Sequence, residues 1–110
     1  MEMMIGKQSI RFRKPPYIKA AACVAGKKEG EGPYGALFHK IIEDPNAGGK
    51  NWEEAESSLM KESIEMVLAK ADMTAEQIRF LFAGDLLGQL IATSFGVMDF
   101  QIPHYGIYGA

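Results

Sequence analysis

The sequence predicts one α/β domain, because two compact apolar, strand-like segments, Tyr17 to Ala25 and Ile78 to Gly84, flank a long helix-periodic segment. A further helix and strand then follow. The apolar content of 47% over 110 residues suffices for one hydrophobic core but not for two.

Ser9 to Phe12 reads as a short extended entry arm, and Pro15-Pro16 after it removes two backbone donors. Tyr17 to Ala25 is small or apolar with only Lys19 charged, which predicts the first core strand. Gly26 to Gly35 is rich in glycine and charge and predicts a surface loop. Ala36 to Glu43, with Leu37, Phe38 and Ile41 as inward positions, predicts a short helix that ends before Pro45 and the turn Asn46-Ala47-Gly48-Gly49.

From Trp52 to Ala71, the residues Trp52, Ala55, Leu59, Ile64, Val67 and Leu68 recur at helical spacing and predict an amphipathic helix. Asn51 is placed to cap it, with Glu53 and Glu54 opposite the positive end of the helix dipole. Thr74-Ala75-Glu76-Gln77 has the spacing of a capping box. Ile78 to Gly84 is short and uniformly apolar, as a central parallel strand would be. Gln89 to about Met98 then predicts a helix, and His104 to Tyr108 a third strand. The resulting order is a doubly wound arrangement with right-handed crossovers.

Charge excludes some partners. Twelve Lys and Arg against 14 Asp and Glu leave a net charge of -2, which gives no general attraction to nucleic acid. The single cysteine, Cys23, excludes an internal disulfide and cysteine-pair zinc sites, and predicts a reducing compartment. Met1 to Lys7 has an early acidic residue and no signal-peptide core, so an intracellular location is expected. Ile78 to Val97 is interrupted by Arg79, Asp85 and Gln89, which argues against a membrane span.

Several motifs invite a chemical reading and fail it. Gly30-Glu31-Gly32-Pro33-Tyr34-Gly35 fits a dinucleotide fingerprint in spacing, but Pro33 has no amide to offer a pyrophosphate and Glu31 would repel one. Asp44 to Asn51 resembles a phosphate loop, yet Asp44 stands where the first glycine belongs and Asn51 replaces the hydroxyl. His39 and His104 belong to no spaced ligand cluster, so no metal site is expected. Cys23 lies within an apolar strand segment and is expected to pack. Glu53, Glu54, Glu56, Glu62 and Glu65 read as a solvated helix face.

The informative stretch is Ala83-Gly84-Asp85-Leu86-Leu87-Gly88-Gln89, just beyond the carboxyl end of an apolar strand, where open α/β sheets place ligands. Asp85 and Gln89 are its polar groups and the candidate ligand-binding residues. No complete catalytic site and no cofactor motif is present, so the chain is not expected to be an enzyme by itself.

Gly6-Lys7-Gln8, the Gly-Pro-x-Gly-x-Leu-Phe run from Gly32 to Phe38, Lys50-Asn51-Trp52-Glu53 and Leu81 to Leu87 together resemble the amino-terminal part of the stage V sporulation protein AD family. Ile102-Pro103 and Tyr108-Gly109-Ala110 fit the same pattern. The resemblance implies a partial thiolase-like α/β fold with a mixed or parallel sheet core and flanking helices, residues 1–110 being the amino-terminal portion of that domain. It implies binding of dipicolinic acid for uptake into the spore and release at germination. It also implies partnership with sister stage V sporulation membrane proteins, a homodimer at full length, and a place beside the forespore or spore inner membrane.

The family's cysteine would directly follow Gly-Ala, so Cys23 does not match it and the chain is expected to stop where the working centre of a larger protein begins. The alternative implied by the same resemblance is a fragment of a thiolase or ketoacyl-synthase-like acyl-transfer enzyme using that downstream cysteine.

Overall fold

The computed structural model of the chain describes residues 3–109. Its first element is a small antiparallel pair, β1 (Met4–Ile5) and β2 (Ser9–Ile10), in register Met4 to Ile10 and Ile5 to Ser9. Gly6 turns the chain between them with φ 64°, a left-handed conformation that glycine adopts without a Cβ penalty.

The first core strand is much shorter than expected. Only β3 (Val24–Gly26) forms a ladder, while Tyr17 and Ile18 are 87% and 90% exposed. Apolar residues alone do not make a strand; the backbone needs a ladder, and residues 17–23 join none among the described residues, the Cys23 carbonyl accepting a single backbone bond from the His39 amide at 3.1 Å. The segment expected as a loop begins instead with the one-turn helix α1 (Lys27–Gly30).

The helix expected over Ala36 to Glu43 is also corrected. A 3-10 turn covers Gly35–Leu37, and β4 (Lys40–Ile42) follows, parallel to β3, with Ala25 opposite Ile41. Two consecutive isoleucines are stiff at χ1 and favour the pleated ladder over a last helical turn.

Helix α2 (Trp52–Ala71) has the bounds that its periodicity predicts. Asn51 caps it, its Oδ1 accepting from the Glu54 amide at 2.9 Å. At the other end Asp72 is left-handed at φ 54°, and the Met73 amide returns to the Leu68 carbonyl. Asn51→Ala is expected to cost about 1 kcal/mol, read as a lower midpoint in urea followed by circular dichroism. Ala55 is buried on the inner face, but Trp52, expected inward, is exposed.

The capping box forms as expected, with the Thr74 amide donating to Gln77 Oε1 at 2.9 Å, yet it starts only a single 3-10 turn, Ala75–Gln77. Next come β5 (Leu81–Ala83), α3 (Ile91–Val97), a 3-10 turn at Met98–Phe100 and β6 (His104–Gly106). β5 and β6 run parallel, with Phe82 opposite Tyr105. The two rings stack at 5.2 Å on an exposed face.

The architecture is therefore α/β with mixed pairing, but among the described residues the strands form three two-stranded sheets and not one doubly wound sheet. β5 has one partner and is not a central strand among the described residues.

The largest packing contact joins α2 to α3. Small residues permit it: Ala55, Ala92, Thr93 and Gly96 are all buried, and Ser57 Oγ donates to the Ala92 carbonyl at 2.7 Å. Two exposed ion pairs, Lys40 with Glu62 at 2.6 Å and Lys61 with Asp99 at 3.0 Å, join α2 to β4 and to the turn after α3. Pairs of that exposure contribute little.

The radius of gyration is 16.1 Å, against about 13 Å for a compact domain of this length. Much apolar surface accordingly stays uncovered, including Ile91, Phe95 and Met98 at helical spacing. No helix among the described residues is long and apolar enough to cross a membrane.

Candidate functional site

The loop from Gly84 to Leu90 leaves the carboxyl end of β5 and enters α3, as the sequence predicts. Asp85 is 5% exposed, and its carboxylate organises the loop from within. Oδ1 accepts from the Gly88 amide at 3.2 Å. Oδ2 accepts from the Leu90 amide at 3.0 Å, the Thr93 amide at 3.0 Å and the Thr93 hydroxyl at 2.6 Å.

These bonds hold the Asp85 carboxyl below its ordinary pKa, the Thr93 hydroxyl first among them; burial opposes the shift, and the three amides add to it. The charge also meets the first turn of α3, whose amides have no partner within the helix.

Local backbone strain explains why so many bonds converge here. Gln89 and Leu90 both lie in the left-handed region, at φ 48° and 78°, which costs a non-glycine residue about 1–2 kcal/mol. The Gly88 and Leu90 amides flank this reversal, and both are bound to Asp85.

Gln89 points a different way. Its Oε1 accepts from the Gly109 amide at 3.0 Å, and its Nε2 donates to the Leu86 carbonyl at 3.4 Å. The two candidate residues thus share one loop but hold different neighbours: Asp85 fastens α3, and Gln89 fastens the segment after β6. Leu86 and Leu87 stand exposed between them.

Sequence reasoning missed Thr93. Its signal was a hydroxyl on the inward face of a helix, eight residues after an aspartate, which only the folded loop brings together. It also missed two glycines that allow close packing. A Cβ at Gly84 would lie 2.4 Å from the Ile107 carbonyl oxygen, and one at Gly106 would lie 2.7 Å from Leu90 Cδ1.

The remaining motifs take structural roles. The glycines of the rejected fingerprint bring backbone against backbone: a Cβ at Gly35 would sit 1.9 Å from the Gly30 carbonyl oxygen. In the rejected phosphate loop, the Asp44 carboxylate accepts from the Asn46 amide at 3.0 Å and the Gly48 amide at 2.7 Å, which lowers its pKa and closes the turn.

His39 joins Cys23 to α2. Its Nδ1 accepts from the Cys23 amide at 3.1 Å and lies 3.1 Å from Cys23 Sγ, while Nε2 is 2.6 Å from Lys70 Nζ. His104 Nε2 lies 3.4 Å from the Ala83 carbonyl, away from that group. Among the described residues no three His, Cys, Asp or Glu side chains gather in a metal-binding group.

An open groove of about 700 Å³ lies elsewhere, between the turn at Gly48 and Gly49, the start of α2 and the Ile91–Phe95 face of α3. Neither Asp85 nor Gln89 lines it. Glu53 and Glu54 on its rim disfavour an anion.

Comparison with known proteins settles the family. Stage V sporulation protein AD (SpoVAD) matches residues 6–110. The chain belongs to this family. It is 36% identical over 107 residues to Stage V sporulation protein AD of Bacillus subtilis (strain 168), a match covering 97% of this chain and 32% of the relative. The chain therefore spans about a third of the length of that SpoVAD protein.

Proposed function

We propose that this chain contributes one wall of a binding site for dipicolinic acid in a sporulation protein that takes the ligand into the spore and releases it at germination. Membership of the SpoVAD family over residues 6–110 is the observation that carries this reading. The order of the Gly84 to Leu90 loop supports it. A ligand wall must hold its shape before the ligand arrives, and this loop is fixed by Asp85 on one side and Gln89 on the other.

The family resemblance supplies the rest of the proposal: a thiolase-like fold and a homodimer for the full-length protein, with binding in place of catalysis. Sister stage V sporulation membrane proteins hold it at the forespore or spore inner membrane. Asp85 and Gln89 serve the site as parts of its wall. Direct contact between the Asp85 carboxylate and a dicarboxylate would be repulsive, and the four bonds it already accepts leave it little capacity for another.

The test is isothermal titration of dipicolinate into a full-length family protein that carries this segment. Saturable, stoichiometric heat is expected, with isophthalate, which lacks the ring nitrogen, as the control. A folded protein that gives no saturable heat would overturn the reading.

A further inference from the structure

The end of β5 and the loop after it meet the end of β6 and the chain after it at three points. The Ile107 amide donates to the Ala83 carbonyl at 2.8 Å, and Gly84 lies so close to Ile107 that no side chain fits there. Gly106 likewise accommodates Leu90, at a distance a Cβ would violate. The third point is Gln89, whose side-chain carbonyl holds the Gly109 amide at 3.0 Å. The first contact continues the parallel pairing of β5 and β6, the second is the Leu90 side chain resting on the last residue of β6, and the third reaches a residue outside the ladder.

We infer that Gln89 is a positioning residue: its Oε1 fixes the path of the chain at Gly109 against the Gly84 to Leu90 loop, and it acts on any ligand through that segment and not by touching it. The left-handed backbone at Gln89 is what aims the side chain across the loop toward Gly109. Gly109 is itself left-handed at φ 73°, a conformation that glycine adopts without a Cβ penalty. Nε2 has a weaker role, since its bond to the Leu86 carbonyl is long at 3.4 Å. The acceptor oxygen is therefore the functional half of this amide. The affinity arm of the test rests on the dipicolinate proposal above; the amide arm does not.

Two substitutions separate acceptor from donor. Gln89→Glu keeps an oxygen for the Gly109 amide and loses the Nε2 donor, whereas Gln89→Ala loses both. Hydrogen exchange of the Gly109 amide, followed by NMR in a full-length family protein that carries this segment, is expected to quicken about tenfold in Gln89→Ala and to stay near the wild-type rate in Gln89→Glu. In the full-length family protein, dipicolinate affinity is expected to fall about tenfold in the alanine variant and to be largely rescued in the glutamate variant.

A Gly109 amide indifferent to Gln89→Ala would overturn the inference. So would a glutamate variant that protects the Gly109 amide yet binds as poorly as alanine at high and low salt alike, because a ligand contact through Nε2 would then be in force. If wild-type protein binds no dipicolinate, the functional proposal fails, and the Gly109 exchange rates decide the positioning role by themselves.

Discussion

Gly96→Leu is expected to lower stability by about 3 kcal/mol and to separate α2 from α3. Gly96 is buried where the two helices cross, and even a Cβ there would lie 2.9 Å from the Ser57 carbonyl oxygen and 3.2 Å from Met60 Cβ. The nearest obstacle is backbone, which a rotamer change does not move.

A leucine must therefore push the helices apart, breaking the bond from Ser57 Oγ to the Ala92 carbonyl and exposing Ala55 and Ala92. Gly96→Ala gains up to about 1 kcal/mol of helix propensity, so its net loss is expected to be the smaller of the two. Urea denaturation by circular dichroism gives the ranking wild type, alanine, leucine. A leucine variant as stable as wild type would show that this crossing does not hold the chain together.

The same crossing shows what a sequence discloses and what it withholds. The bounds of α2 were legible because 20 residues of helical period, an asparagine cap and an acidic first turn all point to one element. Local signals of that kind need no partner. β4 was not legible: Leu37, Phe38 and Ile41 mimic helical spacing, and only pairing with β3, sixteen residues earlier, makes Lys40–Ile42 a strand. Residues 17–23 failed the opposite way, since their apolar character was visible but the ladder that would use it is not present among the described residues.

At the candidate site, position was legible and bonding was not. A loop at the carboxyl end of an apolar strand stands out in sequence, whereas the pairing of Asp85 with Thr93, or of Gln89 with Gly109, depends on where a helix turn and a strand exit arrive in space. The close approach at Gly84 was hidden for the same reason: a glycine after a strand reads as a turn until the Ile107 carbonyl is seen beside it.

Asp85→Asn is expected to destabilise the loop and α3 strongly at neutral pH, with an effect that fades in acid. One asparagine oxygen replaces two carboxylate oxygens, and the new NH2 must face either the Gly88 amide or the group formed by Leu90 and Thr93, donor against donor. The sign of the pH dependence follows from the direction of the shift. The folded pKa of Asp85 lies below its ordinary 3.8, so its contribution is complete above the unfolded value and is lost as pH falls through the folded one.

Between pH 7 and about pH 5 the gap between wild type and Asp85→Asn should be constant; below 3.8 it should narrow, because protonated Asp85 is as uncharged as asparagine. Asp44 and Glu76 are lowered in the same direction, but both are present in either protein and cancel in the difference. Thr93→Val should bring the loss in at higher pH, since the hydroxyl is the largest cause of the shift. Denaturant midpoints measured from pH 7 to pH 2.5 decide the matter. A gap that persists unchanged in acid would mean that shape and not charge makes Asp85 necessary, and that the loop is not held by an ionised carboxylate.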